Sequence, residues 1–220
     1  MIIMSTYIDN YGVTYTEDRK ILIKGNSELE HYTILEGTEV IGNDSWGKMN
    51  KLQEITIPEG VHTIEALAFS GCMGLTGIRL PSTIKEVGSY AFEFTMLRAI
   101  VIPEGITVLH NDVFGECFGL GAVVLPSTLE TIEEYAFCSC PSAQLILLAN
   151  ERKLTYVDNQ AFDGSKAIVL VPYDLQREYA DAFPMHKTRF FGMKIFEDAG
   201  KADVYSPTGE VVGEIPIERV

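Results

Sequence analysis

The 220-residue chain sets 31 acidic against 17 basic side chains, a net charge of −14. That balance argues against nucleic acid and anionic membrane as partners, since both are held mainly by Lys and Arg. A hydrophobic content of 46% argues against global disorder, yet the longest apolar runs, 145–149 and 167–172, fall far short of the ~20 residues that span a bilayer, so no membrane insertion is expected.

The N-terminal string "MIIMSTYIDN" has no basic stretch ahead of its apolar start and does not read as a signal peptide. The expectation is a cytoplasmic protein unless an export segment lies outside this chain. From residue 34 a repeat sets in. The turns Ile57-Pro58-Glu59-Gly60, Leu80-Pro81-Ser82-Thr83, Ile102-Pro103-Glu104-Gly105 and Leu125-Pro126-Ser127-Thr128 step along the chain by 23, 22 and 23 residues. Leu148 and Val171 continue the series at steps of 23. Trp46, Phe69, Phe92, Phe114, Phe137 and Phe162 keep the same time independently.

Within each unit a Leu-x-x-Ile-x-Ile pattern precedes the turn, as in Leu52, Ile55 and Ile57, and reads as a short strand with one buried face. Proline removes a donor and fixes φ, ending the strand. Beyond it, Ile64, Ala68 and Cys72, like Ile132, Ala136 and Cys140, recur at i, i+4, i+8 and predict a helical segment of two to three turns. One unit buries about six side chains at roughly 2 kcal/mol each against an ordering cost of about 1–2 kcal/mol per residue. A single unit cannot fold, so the units must stack. The predicted class is α/β: a right-handed leucine-rich solenoid of six to seven coils of 22–25 residues over 34–188, with a parallel sheet on one face. The tail, 189–220, carries two alternating stretches around Ser206-Pro207-Thr208-Gly209 and predicts a β-hairpin extension.

With that register, the chain resembles the BspA-like leucine-rich repeat family. The aliphatic-Pro turn followed by Ile and Ala-Phe-x-x-Cys-x-x-Leu stands whole in "IPEGVHTIEALAFSGCMGL". "VTYTEDRKILIKGN" resembles the N-terminal hairpin cap of such proteins, placing a cap over 1–33, and "VLVPYDLQREYADAF" resembles their closing unit. The resemblance implies an interaction scaffold of the kind found in bacterial surface adhesins, binding host or bacterial proteins.

Cys72, Cys117 and Cys140 each follow a ladder aromatic by three residues and line up as small apolar fillers, since stacked coils set equivalent residues in a row rather than around a metal. The histidines fall at different offsets. No G-x-S-x-G, H-E-x-x-H or phosphate-loop string is present, so neither a catalytic site nor a cofactor is expected. The sheet's outward rows are the candidate binding face: Glu54 and Thr56, Gly77 and Arg79, Ala99 and Val101, Ala122 and Val124, Leu145 and Leu147, Ile168 and Leu170. They turn from polar to apolar along the chain, and an apolar strip of that length needs a cover: the tail, a protein partner or a second copy. The alternatives are an intracellular scaffold and a glycan-binding module, though the rows hold no aromatic residue.

Overall fold

The computed structural model describes residues 5–141, 143–147, 151, 153–196 and 201–216. A three-stranded antiparallel cap opens the chain, with β1 (Thr6–Ile8), β2 (Thr14–Thr16) and β3 (Ile21–Lys24). Coils follow, each contributing a front strand and a shorter rear strand: β4 (His31–Thr33) and β5 (Val40–Ile41), β6 (Glu54–Thr56) and β7 (Thr63–Ile64), β8 (Gly77–Arg79) and β9 (Glu86–Val87). Next come β10 (Ala99–Val101) and β11 (Val108–Leu109), β12 (Ala122–Leu125) and β13 (Thr131–Ile132), β14 (Gln144–Leu147) and β15 (Tyr156–Val157). The last front strand is β16 (Ile168–Pro172), followed by the short helix α1 (Gln176–Ala182).

Front strands pair in parallel with front strands and rear with rear, giving a front and a rear layer with the core between them, and each layer breaks once, between β8 and β10 in front and between β9 and β11 behind. The rear sheet continues directly from the cap, since β3 pairs with β5. Ile41, Ile64, Leu109 and Ile132 point inward from the rear and meet Ile55, Ile100 and Val123 from the front. Between the sheets stand the aromatics. Phe69, Phe92, Phe114, Phe137 and Phe162 stack face to face, with centroids 5.5–5.8 Å apart and planes within 16°. Burying each ring is worth about 2–3 kcal/mol, and the stacking about 1 kcal/mol more.

The helical expectation for the coils is corrected. Cys72 and its equivalents are buried as the spacing requires, but tight turns carry them. Alternate residues do different work: the amides of Leu67, Phe69 and Gly71 donate to Ser89, Ala91 and Glu93 of the next coil, while those of Ala68, Ser70 and Cys72 donate three residues back. Residues two before and two after each aromatic from Trp46 to Phe137 are left-handed, among them Leu67, Tyr90, Asp112 and Tyr135 before it, and Gly71, Phe94, Glu116 and Ser139 after it. An α-helix admits no such alternation.

The tail adds β17 (Phe190–Phe196), β18 (Lys201–Tyr205) and β19 (Val211–Pro216). The first pairs in parallel with β16, and the other two follow antiparallel, around the turn where the Ser206 amide donates to the Glu210 carbonyl. An extension drawn from residue 189 therefore begins inside the sheet: Phe190 is buried and stacks on Tyr179 and Phe183.

Candidate binding face

The side chains that leave the front sheet on the side away from the core can be read directly from the strand register. Glu54 pairs with Gly77, Thr56 with Arg79, Ala99 with Ala122 and Val101 with Val124. Glu54, Thr56, Arg79 and Ala99 are exposed, Ala122 and Val124 half-buried, and Val101 is 62% exposed.

The next coil departs from the sequence reading. Ala122 pairs with Gln144 and Val124 with Ile146, so Gln144 and Ile146 take the outward places, and Leu145 and Leu147 point into the core, 0% and 1% exposed. The step from Leu125 to its partner Leu147 is 22 residues rather than 23, and a slip of one residue flips a strand's faces. Leu148, the anchor assumed for that coil, lies outside the described residues. In the last coil Ile168 and Leu170 do face outward, but the chain covers them itself. Leu170 is fully buried in a second small cluster with Met193, Ala202 and Val204, against which Ile146, Ile168, Phe191 and Ile215 pack.

The face therefore has three zones: a covered apolar end over β14 and β16, an open middle at Val101 and Val124, and a polar N-terminal end. The polar end is a trough of about 740 Å³ lined by His31, Glu54, Thr56, Glu59, Gly77 and Arg79. It runs on into a smaller hollow of about 350 Å³ that the cap's Tyr11, 64% exposed, helps to form. His31 Nδ1 lies 3.5 Å from Glu54 Oε2. The sheet parts between β8 and β10, which share no ladder, and there Ile78 stays half-exposed. His31 and Thr33 belong to the face and were missed, although the 23-residue step back from Glu54 and Thr56 lands on them. Tyr11 carried no such signal, because it comes from the cap.

The ladder residues are all interior: Trp46, Phe69, Phe92, Phe114, Phe137 and Phe162, with Cys72, Cys117 and Cys140 beside them. The thiols are more than fillers. Cys72 Sγ donates to the Trp46 carbonyl, Cys117 Sγ to that of Phe92 and Cys140 Sγ to that of Phe114, at 3.0–3.1 Å. Burial pushes the Cys72 and Cys117 thiols up to about 11, and the Cys140 thiol further in the same direction. A thiol held protonated is neither a nucleophile nor a metal ligand. Among the described residues, no group of three or more His, Cys, Asp or Glu is placed to hold a metal, and no helix is long and apolar enough to cross a membrane.

Two residues close the stack in a way the sequence did not announce. His186 meets Phe162 edge-on at 5.4 Å, and its Nε2 lies 2.9 Å from the Asp158 carbonyl. Arg189 lies over the Phe162 ring at 5.0 Å and donates to the carbonyls of Ser165 and Ala167.

The model of the BspA type leucine rich repeat region matches six copies over residues 24–144, more than half of the chain. The chain belongs to the BspA-type leucine-rich repeat family. A search of curated proteins finds no match to the sequence. Among solved structures, the pneumococcal vaccine antigen PcpA is similar in fold, with a TM-score of 0.71 and 16% identity over 87% of this chain and 48% of that one. A leucine-rich repeat protein of Eubacterium ventriosum gives a TM-score of 0.57 at 24% identity, covering 74% of this chain and 50% of its own. A leucine rich cell surface protein of Faecalibacterium prausnitzii gives 0.55 at 20%, covering 98% and 61%. The chain thus spans about half the length of the first two, and at these identities the likeness is one of fold.

Proposed function

We propose that this protein is a non-enzymatic protein-interaction module of the surface adhesin type, engaging a host or bacterial protein across the open part of the front sheet, from His31 and Glu54 to Val101 and Val124. The observation that carries the reading is Val101. It is a β-branched residue 62% exposed in the middle of a sheet face, between a polar trough and an apolar end that the chain covers itself. A partner that buries Val101 and Val124 while pairing polar groups with Glu54, Thr56 and Arg79 has the anatomy of an ordinary interface, apolar at its centre and polar at its rim. A surface location is supported by the likeness in fold to the cell surface protein of Faecalibacterium prausnitzii.

A photo-cross-linking residue at Val101, compared with one at the distant and exposed Met185, tests this in the producing cell and against host cells. The expected result is a discrete adduct from position 101 that Val124→Lys abolishes, and none from position 185. Equal labelling from both positions, or none from 101, sinks the reading. An adduct of twice the chain's mass identifies the partner as a second copy, and one confined to the cytoplasmic fraction favours the intracellular scaffold.

One observation favours a second reading. The exposed Tyr11 ring beside His31, Thr33, Glu54 and Thr56 sets an aromatic platform among polar groups, as glycan sites do. Quenching of tyrosine fluorescence by a neutral oligosaccharide, lost in Tyr11→Ala, is the result that reading requires.

A further inference from the structure

The turns that lead from each rear strand to the next front strand carry their own pattern. Four residues after the stacked rings Phe69, Phe92 and Phe114 stand Met73, Met96 and Phe118, exposed by 58%, 40% and 55%. The rings are 5.6 and 5.7 Å apart, so these three side chains form one short ladder across adjacent coils. Phe94, 38% exposed, stands two residues from Met96, and its amide donates to the Gly115 carbonyl of the next coil. Phe94 has a φ of 54°, in the left-handed region where a bulky side chain costs about 1 kcal/mol. The equivalent places in other coils, also left-handed, hold Lys48, Gly71, Glu116, Ser139 and Gly164, none of them apolar and bulky. Phe94 thus puts an aromatic ring where the other coils place glycine or a polar residue, and leaves more than a third of it exposed.

Acidic side chains gather beside Phe94, while at the Met73 end Lys48 lies against Gly71. Glu93 and Glu116 flank Phe94 in sequence and in the stack, and Asp112 and Glu134 adjoin them. Burial first, then the charges of Glu93, Glu134 and Glu116, pushes Asp112 up to about 6. None of the four carboxylates has a cationic partner among the described residues; Glu93 accepts only the Ser70 hydroxyl, at 3.0 Å. Elsewhere some carboxylates are paired, as Lys20 with Glu39 and Lys51 with Glu28. A second copy is a poor occupant, because it brings the same carboxylates and a further −14.

We propose that the ladder of Met73, Phe94, Met96 and Phe118 is a second docking surface, for a protein segment that presents cationic side chains beside apolar ones. The apolar side chains of that segment cover the ladder, methionine adapting to their shape, and its Lys or Arg groups meet Glu93, Asp112 and Glu116. The surface lies on the turn side of the coils, so both faces can be occupied at once.

The test uses the full chain and fluorescence anisotropy with a labelled peptide of alternating Lys and Leu. Lys-Ser and Glu-Leu peptides of equal length are the comparison. The Lys-Leu peptide is expected to bind at least about tenfold more tightly than either. Replacing Met96 and Phe118 together by Ser, or Glu93 and Glu116 together by Gln, weakens it about tenfold, and the second pair also flattens its salt dependence. Met185→Ser, at an exposed place outside both surfaces, leaves the affinity unchanged. All four side chains lie at or near the surface, and the Gln pair leaves every apolar contact in place, so loss of folding does not confuse the result. If the Lys-Ser peptide binds equally well, the attraction is the net charge of the whole chain and the proposal falls. It falls equally if the Glu-Leu peptide binds as tightly, or if the Met96 and Phe118 replacements leave affinity unchanged.

Discussion

Three residues beyond each stacked ring, the coils carry Cys72, Thr95, Cys117, Cys140 and Ser165, a set that makes no sense as a size series but a clear one as donors. Each sends a thiol or hydroxyl to a backbone carbonyl of the turns, Ser165 Oγ reaching the Cys140 carbonyl at 2.5 Å and Thr95 Oγ1 that of Phe92 at 2.8 Å, while the Trp46 carbonyl reached by Cys72 also accepts the Met49 amide. A buried carbonyl without a partner costs about 1–3 kcal/mol. Valine and threonine share a shape, so replacing Cys140 by each in turn isolates the bond to the Phe114 carbonyl. Threonine is expected to be the more stable by about 1 kcal/mol in urea unfolding, the reverse of the order their hydrophobicity alone gives. Small size was readable from the spacing of these positions. The donor role was hidden because no sequence pattern marks which carbonyl of a turn takes a side-chain donor.

At the scale of the element, period and phase were legible and backbone conformation was not. Two tracks, the aliphatic-Pro turns and the aromatics, set the coils correctly from Ile34 to Leu125. The phase failed at Leu145-Ile146-Leu147-Leu148, where four successive aliphatics carry no alternation to say which face is inward. The i, i+4, i+8 stripe of Ile64, Ala68 and Cys72 suits both a helix and a run of turns, and the spacing could not choose between them. A subtler pair could have done so. Asp44 with Gly47, and Asp112 with Gly115, recur three residues apart across the ring position, and a Cβ on either glycine would meet the aspartate Oδ1 at 1.9 or 2.8 Å. The ring ladder they flank is the main internal support. Phe92, packed between Phe69 and Phe114, is expected to lose about 3–5 kcal/mol on replacement by Ala, measured by denaturant unfolding. A loss below about 1 kcal/mol means that the stacked rings are not what holds the coils together.

For the whole molecule, the repeat produces more than stability. Because stacked coils place equivalent residues in rows, a change in one column, from Arg79 to Val101 or from Gly71 to Phe94, writes a patch onto a surface without disturbing the core. The front sheet is open where its rows are polar or mixed and closed where they are apolar. The closing piece is the chain's own β17–β19, with Gln176 Nε2 tying the Phe190 carbonyl to that of Ser206. That division leaves one end of the face self-covered and the other open to a partner. Light scattering coupled to size exclusion tests it most directly, on the full chain and on a chain ending after Phe196, which keeps Phe190 in the core but removes β18 and β19. The full chain is expected to run as a monomer and the shortened one to associate through the uncovered Leu170 and Met193, with Leu170→Lys restoring the monomer. A shortened chain that stays folded and monomeric contradicts the account, since the apolar end of the face then needs no cover.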